Sequence, residues 1–250
     1  MYSVFNSLFF LENESIDKND LSLLEQFEEY YPTCFNIYKI TSAIIILDFL
    51  LCNLFNTKAR WFQLHCLVNL YIGIQILPGV IELVLEPEDN YQIVEHKNHD
   101  LTIVILHLYH IIAFKNLGFY DYFHHIIFVL FGVVPTLLFV NYNQTYYHII
   151  ACSGFPGVIE YGTLTLYKND KISLYTQKFI NSLLYNYIRL PMCIFGVTMN
   201  YTYYRNNYIG DDLFITLYIN TLLYFNGTIF TYLTCDSFSK LKYKLSLKND

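Results

Sequence analysis

The chain has 250 residues, of which 54% are hydrophobic and only 14% are charged, and its mean hydropathy is +0.32. This balance excludes an ordinary soluble domain and favours the bilayer as the surrounding medium. The formal net charge of −6 comes without a stripe of basic and aromatic side chains, so no nucleic-acid partner is predicted.

The first 33 residues precede the apolar part of the chain. They contain acidic side chains but no basic stretch before an apolar one, so a cleaved signal peptide is not predicted. Ser22 and Glu25 have the spacing of a capping box, and apolar residues follow at helical intervals up to Pro32. We predict that segment 1–33 is lumenal or extracellular and carries a short amphipathic helix on the membrane surface.

Seven apolar runs follow in chain order. Crossing about 30 Å of hydrocarbon takes about 20 residues at 1.5 Å each, and each run approaches this length. The third run is the weakest because Lys115 interrupts it. The runs predict an all-α polytopic membrane protein with about seven transmembrane helices: a first helix within 34–57, a transmembrane domain over 58–236 and a basic tail over 237–250. The runs are 38–55, 61–85, 101–118, 122–141, 146–167, 180–204 and 213–235.

The distribution of the basic residues indicates the orientation of these spans in the membrane. If seven spans alternate, most lysines and arginines fall on one side, and cytosolic loops are rich in these residues. The N-terminus is therefore predicted to be lumenal and the C-terminus cytosolic, in the endoplasmic reticulum or a related membrane. Two glycosylation sequons, at Asn13 and Asn143, fall on the predicted lumenal side. The residues on the cytosolic side are Lys58, Arg60, Lys115, Lys168, Lys171, Lys178, Lys240, Lys242, Lys244 and Lys248.

Ionisable residues occur inside five of the runs. Such groups cost several kcal/mol in hydrocarbon unless they face a cavity or a partner, so each is a candidate for function. Counting from the nearest cytosolic basic residue at about 1.5 Å per residue places all of them in the cytosolic half of the bilayer. We therefore expect them to line one cavity open to the cytosol. They are His65, His107, His110, His124, His125, Glu160 and Arg189.

Structural roles for the same residues stay open. Glu160 and Arg189 can form an ion pair that only holds two helices together. His107 and His110 lie on one helical face, where interhelical hydrogen bonds would account for them. The side chains of His124 and His125 point about 100° apart on a helix, so only one is expected to face the cavity squarely.

The histidine pair suits acyl transfer. A histidine in a dry cavity serves as a general base for a hydroxyl or amine, or accepts an acyl group itself. Asp121 either orients one of these imidazoles or caps the helix that follows it. We predict His124, His125 and Asp121 as catalytic residues, with a substrate-binding set. That set is His65, His107, His110, Glu160 and Arg189.

No metal ion or cofactor is predicted. His107-x-x-His110 and His124-His125 fall short of the three fuller histidine boxes that a di-iron site needs. Of the remaining histidines, His96, His99 and His148 are predicted on the lumenal side. The six cysteines are scattered singly and indicate neither a zinc site nor a disulfide framework.

Four stretches together resemble the TLC-domain family of membrane proteins, which includes the ceramide synthases. They are KARWFQLH at 58–65, YDYFHHI at 120–126, GFPGVIE at 154–160, and the segment from Asn181 to Arg189-Leu-Pro191. The histidine pair that follows an acidic residue is the most specific of them. The resemblance covers about residues 58–235.

The resemblance implies a six-helix barrel formed by the second to seventh spans, with the first helix outside. It also implies a reaction chamber lined by His124 and His125, with acyl-CoA as donor and a long-chain base as acceptor. The synthases carry several acidic residues after the pair, whereas this chain has Glu160 alone until Asp170. Many members of the family resemble non-synthase proteins associated with membrane lipid composition or transport.

Two hypotheses follow. The chain either transfers an acyl group to an amine or hydroxyl, or binds, senses or transports a lipid without catalysis. The predicted partners are the bilayer and a membrane lipid or acyl-CoA. Asp48 lies in the first span without a partner that the sequence identifies, and we interpret it as a candidate contact in a homo-oligomer.

Overall fold

A computed structural model describes residues 32–55, 59–86, 98–115, 117–140, 145–206 and 213–248. These residues are 92% helical and contain no strand, which confirms the all-α prediction. The predicted amphipathic helix before Pro32, both sequons, and Lys58 and His96 lie outside the described residues.

Each predicted run overlaps a helix of the described part, and the third run extends beyond its helix, which ends at Ala113. Three helices are irregular: α4 is π-helical over His124–Val133, α5 is interrupted at Ser153, and α6 contains a short π-helical turn. The helices are α1 Pro32–Phe55, α2 Arg60–Leu85, α3 Asn98–Ala113, α4 Phe119–Phe139, α5 Thr145–Lys168, α6 174–205 and α7 Leu213–Ser246.

Five of these helices, α1, α2, α4, α5 and α7, are long and apolar enough to cross a membrane. Only 22% to 39% of the most apolar stretch of each is buried inside the protein. Large side chains such as Phe49 and Ile112 point outward, and so wide an apolar surface is stable against lipid rather than water. The chain is therefore a multi-pass membrane protein.

Helices α3 and α6 are not among these five, so the count of seven spans stays a prediction. Helix α3 has 16 residues, about 24 Å at 1.5 Å each, and ends before Lys115. Helix α6 is long, but Asn181, Arg189 and Asn200 are buried along it, and it is less apolar than the other five.

Pairwise packing places α2 to α7 in a definite order. Helix α2 contacts α3 and α5, α3 contacts α4, α4 contacts α7, and α6 packs against both α7 and α5. Helices α2 and α5 pack closely at two glycines, where a Cβ added to Gly73 would lie 3.6 Å from the Cα of Gly154. Helix α1 packs on α2 and α3.

The carboxylate of Asp48 has partners within the same chain. Its carboxylate forms an ion pair with the Nε of Arg60 at 2.8 Å and accepts a hydrogen bond from the hydroxyl of Tyr109 at 2.6 Å. These contacts join α1 to the start of α2 and the end of α3. The homo-oligomer prediction loses the residue on which it depended.

The basic tail predicted over 237–250 is a continuation of α7 as far as Ser246. Neither proline nor glycine interrupts 236–246, and Asp236 pairs with Lys240 at 2.7 Å one turn away, which supports the helix. The apolar span and its basic end thus form one rod.

Candidate functional site

A cavity of about 100 Å³ lies among the six helices α2 to α7, each of which contributes at least one side chain. It is large enough for several water molecules, since each needs about 10 to 15 Å³. Its wall is polar on one part and apolar on another, where Phe128, Val133 and Leu222 contribute. We call it the central cavity.

The structure brings most of the predicted site residues to this cavity. His65, His107, His124, Glu160 and Arg189 line it. His110 and His125 are buried beside them, 3% and 5% exposed, and belong to the same group of imidazoles. Ring centroids of neighbouring histidines in this group lie 4.9 to 5.6 Å apart, and we call the five the histidine cluster.

His124 and His107 form the part of the cluster that faces the cavity. Their Nε2 atoms are 3.3 Å apart, and the Nδ1 of His107 is 2.8 Å from the carbonyl oxygen of Ile103. A carbonyl only accepts, so neutral His107 carries its proton on Nδ1 and leaves Nε2 as an acceptor. His124 must then donate from Nε2, which leaves its Nδ1 unprotonated.

His125 occupies a different environment from its neighbour. Its Nε2 is 3.1 Å from the Nδ1 of His110, and the His110 ring stacks on Trp61 with centroids 4.3 Å apart. Among the described residues His125 does not line the central cavity. One member of the pair therefore faces the cavity and the other packs behind it.

The orientation of His124 and His125 depends on the local helix geometry. Residues His124–Val133 form a π-helix, in which the backbone N of Val134 bonds to the carbonyl of Val129 five residues earlier. A second π-helical turn, Tyr185–Arg189, ends at the buried arginine. Such turns recur at functional sites because they shift the side-chain register.

Arg189 lies in the wall of the cavity, where three hydrogen bonds hold its guanidinium. It is 4% exposed, and its guanidinium donates to the Oε2 of Glu160 at 2.9 Å, the hydroxyl of Tyr185 at 2.6 Å and the Oδ1 of Asn226 at 3.1 Å. The predicted ion pair between α5 and α6 is therefore present, and both members also face the cavity. The ring of Phe230 is near both Arg189 and His124, with its centroid 5.8 Å from the guanidinium carbon and 5.5 Å from the imidazole centroid.

Asp121 acts at the start of α4. Its Oδ2 accepts a hydrogen bond from the backbone N of Gly118 at 2.8 Å. Gly118 is the N-cap residue and Asp121 the third residue of the helix, so Asp121 supports the cap from within the first turn rather than being the N-cap that was predicted. A role for Asp121 in orienting an imidazole stays a prediction.

Three buried nitrogen atoms at the cavity have no hydrogen-bond partner among the described residues: the Nε2 of His65, the Nε2 of His148 and the Nε of Arg189. His65 is 2% exposed. Buried polar groups are nearly always hydrogen-bonded, so unpaired ones beside a cavity mark the place of water or a ligand. No group of three or more histidine, cysteine, aspartate or glutamate residues in the described part is arranged to hold a metal ion.

Several residues of the site were not singled out from the sequence. Asn69, Tyr161 and Asn226 line the cavity, and Tyr161 stacks on His65 at 4.7 Å. They are neutral, so a search for ionisable groups in apolar runs passes over them. His148, predicted on the lumenal side, also lines the cavity.

Comparisons of the chain with protein-family models, with curated proteins and with solved structures found no match. The resemblance to the TLC-domain family therefore depends on the four sequence stretches alone.

Proposed function

We propose that this multi-pass membrane protein transfers an acyl group to the amine or hydroxyl of a lipid in the central cavity, with acyl-CoA as donor. The observation that carries the proposal is the tautomer of His124. Its Nε2 donates a hydrogen bond to the Nε2 of His107, so its Nδ1 keeps a lone pair, and the His124 side chain lines the central cavity. A general base needs such a lone pair.

In the proposed step, Nδ1 of His124 removes a proton from the acceptor's N–H or O–H while the acceptor attacks the acyl thioester carbon. The carbon–sulfur bond breaks, and the coenzyme thiolate takes the proton back from His124. The new bond is an amide or an ester, and no other reactant is needed. His107 acts as a positioning residue, because it fixes which nitrogen of His124 is the base.

Arg189 is the proposed hydrogen-bond donor to the acyl carbonyl oxygen in this step. Its Nε–H has no partner among the described residues, while its other donors are held by Glu160, Tyr185 and Asn226. A fixed donor of this kind stabilises the negative charge that develops on the acyl carbonyl oxygen. Since Arg189 and His124 both line the central cavity, the donor and the base border one space.

Two further features support an acyl lipid as the ligand. The cavity-lining residues of α5 extend from His148 to Tyr161, about 20 Å at 1.5 Å per residue, and the polar groups meet an apolar wall. The order of helix neighbours, α2, α3, α4, α7, α6, α5 and back to α2, is the order that a six-helix barrel with α1 outside requires. We extend the proposal to that barrel and to an endoplasmic-reticulum membrane with a lumenal N-terminus.

A second candidate is a lipid-binding, sensing or transport protein without turnover. The paired imidazoles favour it, because His110 and His125 contact each other through Nδ1 and Nε2 and His110 also stacks on Trp61, in the manner of structural histidines. The small volume of the cavity also suits a headgroup held in place better than two substrates together.

Lipidomics separates the two candidates. Cells expressing the wild type are compared with cells expressing His124→Ala, His125→Ala and the control His99→Ala, a residue at the start of α3 whose ring lies beside Tyr146. Protein levels are matched by immunoblot. We expect an acylated lipid class that rises with the wild type and His99→Ala and returns to background with His124→Ala.

If all four expression strains give the same acylated lipids, catalysis is rejected and the binding protein is the better account. A product that disappears with His99→Ala as well reflects a folding defect of the variants rather than the base.

A further inference from the structure

Two cysteines that lie far apart along the chain meet at the wall of the central cavity. Cys152 ends the first half of α5, just before its interruption at Ser153, and Cys193 lies on α6. Their thiols are hydrogen-bond partners of each other. We call these two residues the thiol pair. Neither of them takes part in the proposed acyl transfer.

The two thiols differ in access. Cys152 is partly exposed and lines the central cavity. Cys193 is fully buried in a cluster with Ala151 and Leu223. Helix α7 also packs directly against it, since a Cβ added to Gly227 would lie 3.2 Å from the Sγ of Cys193. A small molecule in the cavity therefore reaches the thiol of Cys152 before that of Cys193.

The helices on either side of the thiol pair are held together by further contacts. The first half of α5 packs along α6. The hydroxyls of Tyr147 and Tyr203 are 3.1 Å apart, and a Cβ added to Gly196 would lie 3.5 Å from the Cβ of Tyr147. A disulfide forms without strain only where two backbones are already close. The thiol pair lies at such a place.

A positive charge lies near the thiol pair. Arg189 is one helical turn before Cys193 on α6, and it lines the same cavity as Cys152. Basic neighbours favour the thiolate form of cysteine, which is the form that attacks an oxidant. The surroundings of the pair thus suit oxidation of the thiol that the cavity reaches.

We propose that the thiol pair is an oxidation site, at which hydrogen peroxide converts Cys152 and Cys193 to a disulfide between α5 and α6. The Cys152 thiolate attacks one peroxide oxygen, the oxygen–oxygen bond breaks, and hydroxide leaves and takes up a proton. Cys152 is then a sulfenic acid. The Cys193 sulfur attacks the Cys152 sulfur, water leaves and the disulfide bond forms. Two thiols are oxidised, and one peroxide is reduced to two water molecules.

The size of the cavity selects the oxidant. A volume of about 100 Å³ admits hydrogen peroxide, which is little larger than water, but not a peptide disulfide such as oxidised glutathione. The new bond would join α5 to α6 beside Ser153, where α5 is interrupted and which also lines the cavity. This site does not depend on the proposed acyl transfer.

Peptide mapping of the purified chain in detergent tests the site. The protein is treated with hydrogen peroxide in one series and with oxidised glutathione in another. Free thiols are then alkylated, and the digested peptides are analysed by mass spectrometry without reduction. The variants are Cys152→Ser and Cys193→Ser. Cys235→Ser is the matched control, since that cysteine lies on α7 and accepts a hydrogen bond from Asn186.

We expect peroxide to cross-link Cys152 with Cys193 in the wild type and in Cys235→Ser, with the loss of two hydrogen atoms. Dithiothreitol should restore both thiols. Cys193→Ser should stop at a sulfenic acid on Cys152, which dimedone traps, whereas Cys152→Ser should leave Cys193 reduced. Oxidised glutathione should give no more cross-link than buffer alone.

Any of four results overturns the proposal. If both thiols of the wild type stay free to alkylate after peroxide, the pair is inert, and this result needs no variant. Cross-links of Cys152 or Cys193 to other cysteines show unselective oxidation. Equal dimedone labelling of the thiol that remains in each single variant shows that the cavity does not determine which thiol reacts. Equal cross-linking by oxidised glutathione shows that the pair is open to large oxidants.

Discussion

The Nε2 atoms of His107 and His124 lie 3.3 Å apart, and the carbonyl of Ile103 holds the other nitrogen of His107 at 2.8 Å. This chain of contacts starts at a backbone acceptor, whose chemistry is fixed, and ends at a side chain that lines the cavity. The proton positions of both imidazoles follow from it. Backbone geometry in α3 thereby determines which nitrogen of a residue in α4 is basic.

Replacing His107 tests this relationship. His107→Ala removes the acceptor of the His124 proton, so the base is no longer fixed in the reactive tautomer. We expect acyl transfer to fall by about 10²-fold, within the range usual for general acid–base contributions. His107→Gln keeps an amide oxygen that accepts from His124 and should recover part of the rate. Equal activity of both variants and the wild type would show that His107 only packs.

The ion pair between Arg189 and Glu160 is expected to stabilise the fold as well as the site. Arg189→Leu leaves Glu160 and Asn226 facing a partly buried space, and removing one member of such a pair costs about 3 to 5 kcal/mol. The double variant Arg189→Leu/Glu160→Leu should lose less. Thermal unfolding in detergent measures both, with Asp236→Asn in the exposed pair with Lys240 as an unaffected control. A double variant less stable than Arg189→Leu would contradict the charge argument.

Asp48 should fix α1 to the rest of the protein. Asp48→Ala removes the ion pair with Arg60 and the hydrogen bond from Tyr109, and hydrogen bonds to charged groups contribute about 1.5 to 3 kcal/mol. We expect a lower unfolding temperature of the protein in detergent. Asn53→Ala, which removes only an exposed hydrogen bond to the Phe49 carbonyl, is the matched control on the same helix. An unchanged unfolding temperature would show that apolar packing alone holds α1.

Gly227 is expected to tolerate no side chain. A Cβ added there would lie 2.9 Å from the Cβ of Cys193, an atom that cannot move without its helix. Overpacking of this kind costs about 1 to 3 kcal/mol. Gly132→Ala is the control, since its nearest neighbours would be at 3.8 Å. Expression and unfolding temperature of the two variants should differ, and equal values would show that α6 and α7 separate easily.

The sequence predicts much of this fold because hydrocarbon imposes a simple rule. Apolar runs of about 20 residues locate the helices, and costly ionisable groups within them locate His65, His107, His124, Glu160 and Arg189. The pairing of Asp48 was not predicted, because Arg60 reaches it from outside the apolar run.

Other features require the three-dimensional structure. Asn69 and Asn226 are uncharged, and nothing in their spacing distinguishes a cavity wall from a helix interface. The π-helix that begins at His124 changes the side-chain register from the one that a regular α-helix predicts. His148 and His124 share a cavity although they were assigned to opposite sides, because the cavity lining extends along α5 from His148 to Tyr161. The hydrogen bond that selects the tautomer of His124 also depends on how closely α3 and α4 pack.

The most direct test of acyl transfer uses the purified protein in lipid nanodiscs with isotope-labelled acyl-CoA. Transfer of label to a membrane lipid is measured for the wild type, His124→Ala and the control His99→Ala. We predict labelled lipid with the wild type and His99→Ala, and a rate about 10² to 10⁴ times lower with His124→Ala. Equal labelling by His124→Ala and the wild type, or none by any of the three correctly folded proteins, would contradict the account.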